Sequence, residues 1–383
     1  MRNKFLTFGA PDIGQEEMDS VLECLKSGWI GTGPRVAEFE ERFANYLNVE
    51  HVVAVSSCTA ALQLSMIAAN ICPGDEVITT PLTFCATVNA VIHAGGVPVL
   101  ADIDPQTHNI CSAKIEEKIT AKTKAIIPVH FAGLPCDMDI IMQIAEAHDL
   151  TVIEDCAHAI ESTVGGRHCG TFGSFGCFSF YVTKNLTTAE GGMVVCKSAD
   201  HAKRIKQLAL HGLSSDAWRR FSDSGHKHYY VSECGFKFNM TDIQAALGLP
   251  QIRRIEERWN RRRDLWGQYD TRLQDLPLKL PYLPANQEAV RHALHLYCVQ
   301  LTRDSRVSRD KFLGEMIQRK IGIGVHYLSI ARHPYYQSRF GWKPADYPCA
   351  DVVSESTVSL PLSPSMSNQD IDDVIVAVEE ILN

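Results

Sequence analysis

EVITTPLTFCATVNAVIHAGGVPVLADID, residues 76–104, holds the pattern that decides the fold. A short apolar run ends in two threonines, a segment of helical period follows, and a second apolar run ends in aspartate. The same alternation continues on both sides. HVVAVS (51–56) precedes CTAALQLSMIAAN, and KAIIPVHFAG (124–133) precedes DMDIIMQIAEAHDL, with TVIEDCAH (151–158) and GCFSFYV (176–182) after them. Strands apolar on both faces, separated by helices, predict an α/β fold with a mostly parallel central sheet covered by helices. Ligands in such folds gather at the C-terminal ends of the strands. The residues to inspect are therefore Ser56, Ser57, Thr79, Thr80, His130, Asp155 and Lys184.

From about residue 240 the pattern predicts one long helix, with the charged run RRIEERWNRRR (253–263) as its exposed face. A proline-rich break, LPLKLPYLPANQ (276–287), separates a C-terminal part. That part reads as strand HLYCVQL, helix SRDKFLGEMIQRK, strand GIGVHY and helix SNQDIDDVIVAVEEIL. The expected organisation is a large α/β domain over 1–250, with an N-terminal arm. A linking long helix and a smaller α/β domain then cover 251–383.

The chain of 383 residues carries 37 basic against 45 acidic residues, net −8, with no basic block. That argues against nucleic acid as a partner. Thirteen cysteines, odd in number and scattered through apolar runs, do not make a disulfide framework. Together with the lack of a signal peptide or an 18-residue apolar stretch, they predict a soluble cytoplasmic protein with no membrane contact.

FSFYVTKNLTTAEGG (178–192) sets one amine, Lys184, between a buried run and a glycine pair. A lysine held inward loses hydration and deprotonates more easily, as carbonyl chemistry requires. Asp155 closes another buried strand, where a carboxylate is costly without a cationic partner. Alone, Asp155 also reads as a helix cap and Lys184 as a surface lysine. As a pair 29 residues apart on neighbouring strands, they match the demands of pyridoxal phosphate. The lysine forms a Schiff base with its aldehyde, and the carboxylate keeps its ring nitrogen protonated. Phe84 could stack on the ring or be ordinary core. The start of the helix in VSSCTAAL (55–62), with Thr59, could hold the phosphate or merely be capped by Ser57 or Thr59. Ser179 could add a hydroxyl.

The ordered motifs SGWIGTGP (27–34), VSSCTAAL, GDEVITTPLTFCATVNAV (74–91), TKAIIPVHFAG (123–133), VIEDCAHA (152–159), FSFYVTKNLTTAEGG, GFKFNMTDIQAA (235–246), GVHY (324–327) and SLPLSP (359–364) span nearly the whole chain. They resemble the DegT/DnrJ/EryC1/StrS family of fold-type I, pyridoxal-phosphate-dependent nucleotide-sugar aminotransferases. The resemblance implies that Lys184 is the Schiff-base lysine and Asp155 the partner of the ring nitrogen. It places His158 on the ring hydroxyl, Phe84 on the ring face, and Cys58, Thr59 and Ser179 at the phosphate. Asn239 would reach the phosphate of a neighbouring subunit, so the active sites would be shared in a homodimer. Tyr181, His326 and Tyr327 would meet the substrate.

KFNMTDIQAA, HGLSSDAW and AIIPVHFAG look most like the UDP-4-amino-4-deoxy-L-arabinose–oxoglutarate aminotransferase subgroup. Departures are Tyr181 where His is common, Cys58 where Gly or Ala is usual, and Met240 where many members carry Arg. The implied reaction moves the amino group of L-glutamate onto a nucleotide-linked keto-sugar, UDP-linked and ketonic at C4, within polysaccharide or lipopolysaccharide synthesis. The rivals are a 3-keto-sugar aminotransferase, another pyridoxal-phosphate sugar enzyme, and a non-catalytic regulator that keeps the cofactor site. No metal is expected: HKH (226–228) lacks partner spacing and reads as a solvated loop. Arg219 and Arg220, in a 213–234 segment read as a lid, are candidates for a diphosphate.

Overall fold

A computed structural model describes residues 2–213 and 230–383. Helices α1 (Gln15–Ser27) and α2 (Pro34–Leu47) precede a seven-stranded sheet. Its first five strands are β1 (Val52–Val55), β2 (Glu76–Thr79), β3 (Val97–Leu100), β4 (Thr123–Ile126) and β5 (Thr151–Asp155). A small hairpin of β6 (Thr163–Val164) and β7 (Arg167–His168) comes next, and β8 (Phe175–Ser179) and β9 (Gly192–Cys196) complete the sheet. The spatial order is β1-β9-β8-β5-β4-β2-β3. Only β9 runs against the others, pairing antiparallel with both β1 and β8. Helices α3 (Cys58–Ala68), α4 (Cys85–His93), α5 (Ser112–Glu116) and α6 (Met138–Ala147) link the strands, and α7 (Ala199–Ala209) follows the last. The mostly parallel α/β sheet expected from residues 51–182 is present, with strands such as β1 and β9 buried along their whole length.

The long helix expected after residue 240 is two helices, α8 (Asp242–Arg253) and α9 (Ile255–Leu273), parted at Arg254. A boundary at 250/251 would fall inside α8. Pro250 gives that helix no N–H to bond its fourth-previous carbonyl. The Ser20 hydroxyl of α1 takes up the freed Ala246 carbonyl at 2.7 Å. The charged run is not simply an exposed face either. Arg258 and Arg262 are buried, because acids that sequence periodicity cannot see lie opposite them. Arg258 meets Asp12 at 2.9 Å and Glu17 at 3.5 Å.

The C-terminal part adds β10 (Leu278–Lys279), β11 (Val290–Arg291), which pairs with β6, then β12 (Tyr297–Leu301) and β13 (Thr357–Leu360). Strands β10, β12 and β13 form a three-stranded antiparallel sheet. Helices α10 (Arg309–Gln318), α11 (Pro334–Phe340), α12 (Pro348–Ser356) and α13 (Asn368–Leu382) accompany it. Its core joins Trp266 and Tyr269 of α9, Phe312 of α10 and Val374 of α13. GIGVHY is not a strand, contrary to its sequence pattern. Gly324 makes one bridge to Ser359, while the N-terminal Leu6 occupies the backbone beside it, accepting from the Gly322 N–H at 2.8 Å. The N-terminal arm thus lies on the C-terminal part, where Arg2 clamps Asp370 and Asp373 at 2.5 and 2.6 Å.

Glu17 ties α1 to α8 and α9. Burial works to raise its pKa, but the Gly14 N–H and Arg254 bind the carboxylate, and the net shift is downward. Its stabilisation is therefore present above the ordinary glutamate range and lost as pH falls through the lowered value. Replacing Glu17 by Gln should destabilise the protein by roughly 2 kcal/mol at neutral pH. In thermal unfolding, the gap to wild type should close as the pH drops below about 4. A gap independent of pH would show that the charge contributes nothing.

Candidate active site

Asp155 and Lys184 are positioned by the adjacent parallel strands β5 and β8. Asp155 is the last residue of β5 and pairs in register with Cys177 of β8. Lys184 is not itself on a strand. Strand β8 ends at Ser179, and the lysine sits in the turn beyond, its N–H donating to the Tyr181 carbonyl at 2.9 Å. Strand direction delivers both side chains to the C-terminal edge of the sheet.

The amine is easily deprotonated in this setting. Desolvation pulls the Lys184 pKa down to about 8, against the fields of Cys58 and Asp155. Burial raises the Asp155 carboxyl, opposed by the Thr87 hydroxyl, the Ala157 N–H, Lys184 and His130. Thr87 Oγ1 donates to Asp155 Oδ2 at 2.8 Å, and the Ala157 N–H donates to Oδ1 at 3.1 Å. Thr83, just before the N-cap of α4, supports Thr87 in its first turn, with 2.8 Å between the hydroxyls. These threonines of the TTPLTFCAT stretch were not among the predicted site residues. Their spacing of four, one turn of helix, was the available signal.

His158 faces the same space. Its Nδ1 accepts the Ala132 N–H at 3.2 Å, so its Nε2 carries the proton and meets the Tyr327 hydroxyl at 3.0 Å. Burial, Lys184 and His326 hold His158 far below the ordinary histidine pKa, hence neutral. His326 is likewise neutral, pushed down to about 3 by burial and by Lys184. Its Nδ1 lies 2.7 Å from the Ser359 hydroxyl, and Phe8 stacks on it at 5.6 Å. Phe84 caps the start of α4 with 58% of its surface exposed, its ring 6.2 Å from that of Tyr327. Tyr181 is exposed as well.

The glycine pair explains itself at the start of α3. A Cβ on Gly192 would stand 2.5 Å from the Ser57 carbonyl carbon and 2.7 Å from the Cys58 nitrogen. Ser179 pairs with Gly192 across the ladder. Ser179, Thr59 and the first turn of α3 are thereby gathered at one place. Ser57 is the N-cap, accepting the Ala60 N–H at 3.1 Å. The Cys58 side chain is buried and turned inward, donating to the Cys177 carbonyl at 3.4 Å. A backbone N–H is what Cys58 can offer an anion. Asn239 bridges Val55 and gives its Nδ2 to Thr32 Oγ1 at 2.6 Å within its own chain. HKH, Arg219, Arg220 and most of the expected lid lie outside the described residues.

His130 serves another purpose. With Glu154 and Cys156 it makes the one group among the described residues whose donor atoms cluster as metal ligands do. Glu154 already accepts the N–H groups of Gly170, Phe172 and Gly173 at 2.7–2.8 Å, together with His130 Nε2 at 3.1 Å. The Cys136 N–H occupies His130 Nδ1 at 3.0 Å. Glu154 and His130 thereby tie the 170–173 loop to the Cys136 backbone.

The chain matches the DegT/DnrJ/EryC1/StrS aminotransferase family over residues 11–379. It belongs to that family. It is 47% identical to the spore coat polysaccharide biosynthesis protein SpsC of Bacillus subtilis, covering 100% of this chain and 98% of the relative. Among solved structures it is similar to Spr1654 of Streptococcus pneumoniae, assigned as a sugar aminotransferase and solved in its PMP form. That pair gives a TM-score of 0.92 and 32% identity, covering 98% of each chain. It is also similar to PseC of Helicobacter pylori, an aminotransferase involved in the biosynthesis of pseudoaminic acid, at TM-score 0.90 and 27% identity over 99% of each chain. The chain is thus a sugar aminotransferase of the DegT/DnrJ family, and the cofactor of these enzymes is pyridoxal phosphate.

The residues present fit that group. An exposed aromatic face, a buried carboxylate, a weakly basic lysine and an uncovered helix start with two hydroxyls beside it offer one partner for each part of the cofactor. Phe84 would face the ring, Asp155 the ring nitrogen, His158 the ring hydroxyl, and the start of α3 with Ser179 the phosphate. Replacing Thr87 by Val removes one of two donors that keep Asp155 charged. Spectrophotometric titration should then show about tenfold weaker cofactor binding, the weight of one charge-assisted hydrogen bond. Unchanged affinity would show that Thr87 does not tune Asp155.

Proposed function

We propose that the chain transfers the amino group of L-glutamate to the C4 ketone of a UDP-linked keto-sugar, making an amino sugar for polysaccharide assembly. The observation that carries the reading is the pairing of a depressed Lys184, in the turn beyond β8, with a buried Asp155 at the end of neighbouring β5. The polysaccharide role of SpsC and the amino-sugar role of PseC support the sugar assignment.

Pyridoxal phosphate, when bound, supplies an aldehyde that condenses with amines and a ring that takes up electrons. The protein does the rest. Asp155, braced by Thr87 and the Ala157 N–H, presents a fixed negative charge that keeps a proton on the ring nitrogen. Lys184 Nζ, neutral for much of the time near its pKa of about 8, takes the proton from the donor Cα. It returns a proton to the sugar carbon that receives the amine. Neutral His158 donates through Nε2 without adding charge. Tyr181, His326 and Tyr327 would line the sugar side.

The site is completed, in this proposal, by a second copy of the chain. Helix α1 leaves Met18, Leu22 and Leu25 exposed on one stripe, and Trp29 and Ile30 continue it. An apolar face of this kind suits a stable interface. Asn239 near the mouth of β1 would serve the partner's phosphate site. Among the described residues no helix is long and apolar enough to cross a membrane, and all cysteines are free. Both features support a cytoplasmic setting.

Incubation with L-glutamate and a panel of UDP-4-keto-pentose, 4-keto-6-deoxyhexose and 3-keto-sugar nucleotides tests the assignment. 2-Oxoglutarate release and product NMR should single out the UDP-4-keto-pentose. Lys184→Ala should abolish turnover while sedimentation still reports a folded dimer. Preference for a 3-keto sugar would shift the reaction to the alternative, and near-normal turnover by the variant would remove Lys184 from the chemistry.

A further inference from the structure

A buried polar cluster lies directly behind Lys184. Asn185, the next residue, is 7% exposed. Its Nδ2 donates to both oxygens of Glu161, at 3.0 and 2.9 Å, and to the Ala293 carbonyl at 2.9 Å. Its Oδ1 lies 2.9 Å from His295 Nδ1. Because Nδ2 serves oxygen acceptors, Oδ1 is left to accept, and His295 carries its proton on Nδ1. Turning the amide over would set Oδ1 against the Ala293 carbonyl and the Glu161 carboxylate, so one orientation is locked.

The same bracket reaches the opposite wall of the site. The His295 ring packs 4.6 Å from the ring of His158. The backbone around it holds the loop that orients His158: the Ala293 N–H donates to the Gly133 carbonyl at 2.9 Å, and the His295 N–H to the Ala132 carbonyl at 3.1 Å. Ala132 in turn gives its N–H to His158 Nδ1. Three distant segments therefore meet at one amide. One carries the reacting amine, and another buttresses the histidine that would face the ring hydroxyl.

Glu161 is a costly residue to place there, since it is fully buried. Burial pushes its carboxyl up to about 7, against the field of Arg262 and the bond from Asn185. Arg262 is itself buried, with its Nη1 on the Leu362 carbonyl at 2.9 Å. A charge-assisted acceptor holds an amide about twice as firmly as a neutral one. That firmness matters where a displacement of about 1 Å can cost a hundredfold in rate. Lys184 must change partners at Nζ while its main chain stays still.

We propose that Asn185 is a positioning residue: bracketed by Glu161, Ala293 and His295, it fixes the Lys184 main chain and the His158–Tyr327 wall in one register. The role rests on the aminotransferase reading. It links two properties that a loop anchor alone would not, the reactivity of the amine and the placement of the facing histidine.

The test compares Asn185→Ala with Glu161→Gln, which removes the charge but keeps an acceptor oxygen for Asn185. In the holoenzyme, the first-half-reaction rate constant with L-glutamate is read from loss of the visible cofactor band. In the apoprotein, the pH midpoint of Lys184 modification is read by mass spectrometry. N185A should lose about 30- to 100-fold in rate constant with KM for glutamate within about threefold. Its Lys184 midpoint should rise from about 8 by roughly one unit as the loosened turn lets water reach the amine. E161Q keeps an acceptor oxygen but loses the charge-assisted part of the bracket, so it should shift rate and midpoint in the same directions as N185A by a smaller amount, about three- to tenfold in rate. Should N185A not fold, Asn185→Ser, whose hydroxyl reaches one partner, should shift both readouts in the same directions by less. Variants that lose only thermal stability, with rate constant and midpoint as in wild type, would overturn the role. A wild-type enzyme inert to glutamate would count against the proposed donor instead, and the apoprotein midpoint would still decide the positioning role.

Discussion

The structure turns on a carboxylate buried at the end of a parallel strand. Asp155 has little contact with water, and such a charge persists only with donors and a cation around it. Thr87, the Ala157 N–H and the field of Lys184 provide them. The amine that helps balance the carboxylate is itself half-buried, and desolvation lowers its pKa to about 8. The two groups sit in each other's field, Asp155 buried and Lys184 half-buried.

The fold makes this economical in chain length. Parallel strands β5 and β8 deliver their C-terminal ends to one edge. Antiparallel β9 returns beside β8 and, through Gly192, lets the start of α3 come close to the strand end. The C-terminal part closes the space from the other side with His326 and Tyr327, and the N-terminal arm adds Phe8. A hydrophobic cluster containing Phe131, Leu296 and Ile330 joins the two parts beneath the site.

Much of this was legible in the sequence, for physical reasons. Strands buried on both faces write continuous apolar runs, and the polar residue ending each run marks the ligand edge, so Asp155 stands out. Lys184 stands out by its isolation before the glycine pair, although it lies past its strand. Partners supplied by tertiary contact were not legible. Thr87 looks like any helix threonine until Asp155 is opposite it. Asn185, Glu161 and His295 sit 24 and 110 residues apart in pairs and share no period. Arg258 and Arg262 read as a solvated face because their partners, Asp12 and Glu17 for Arg258 and Glu161 with the Leu362 carbonyl for Arg262, lie far away in sequence. Cys58 sits in the VSSCTAAL stretch expected to face the phosphate, yet its side chain belongs to the core.

The charge of Asp155 against the ring nitrogen can be read on one nucleus. Protein reconstituted with pyridoxal phosphate labelled with 15N in the ring should show, near pH 8, the chemical shift of a protonated ring nitrogen, and Asp155→Ala should show the unprotonated one. A ring nitrogen that is bare in the wild type, or that keeps its proton without Asp155, would contradict the account.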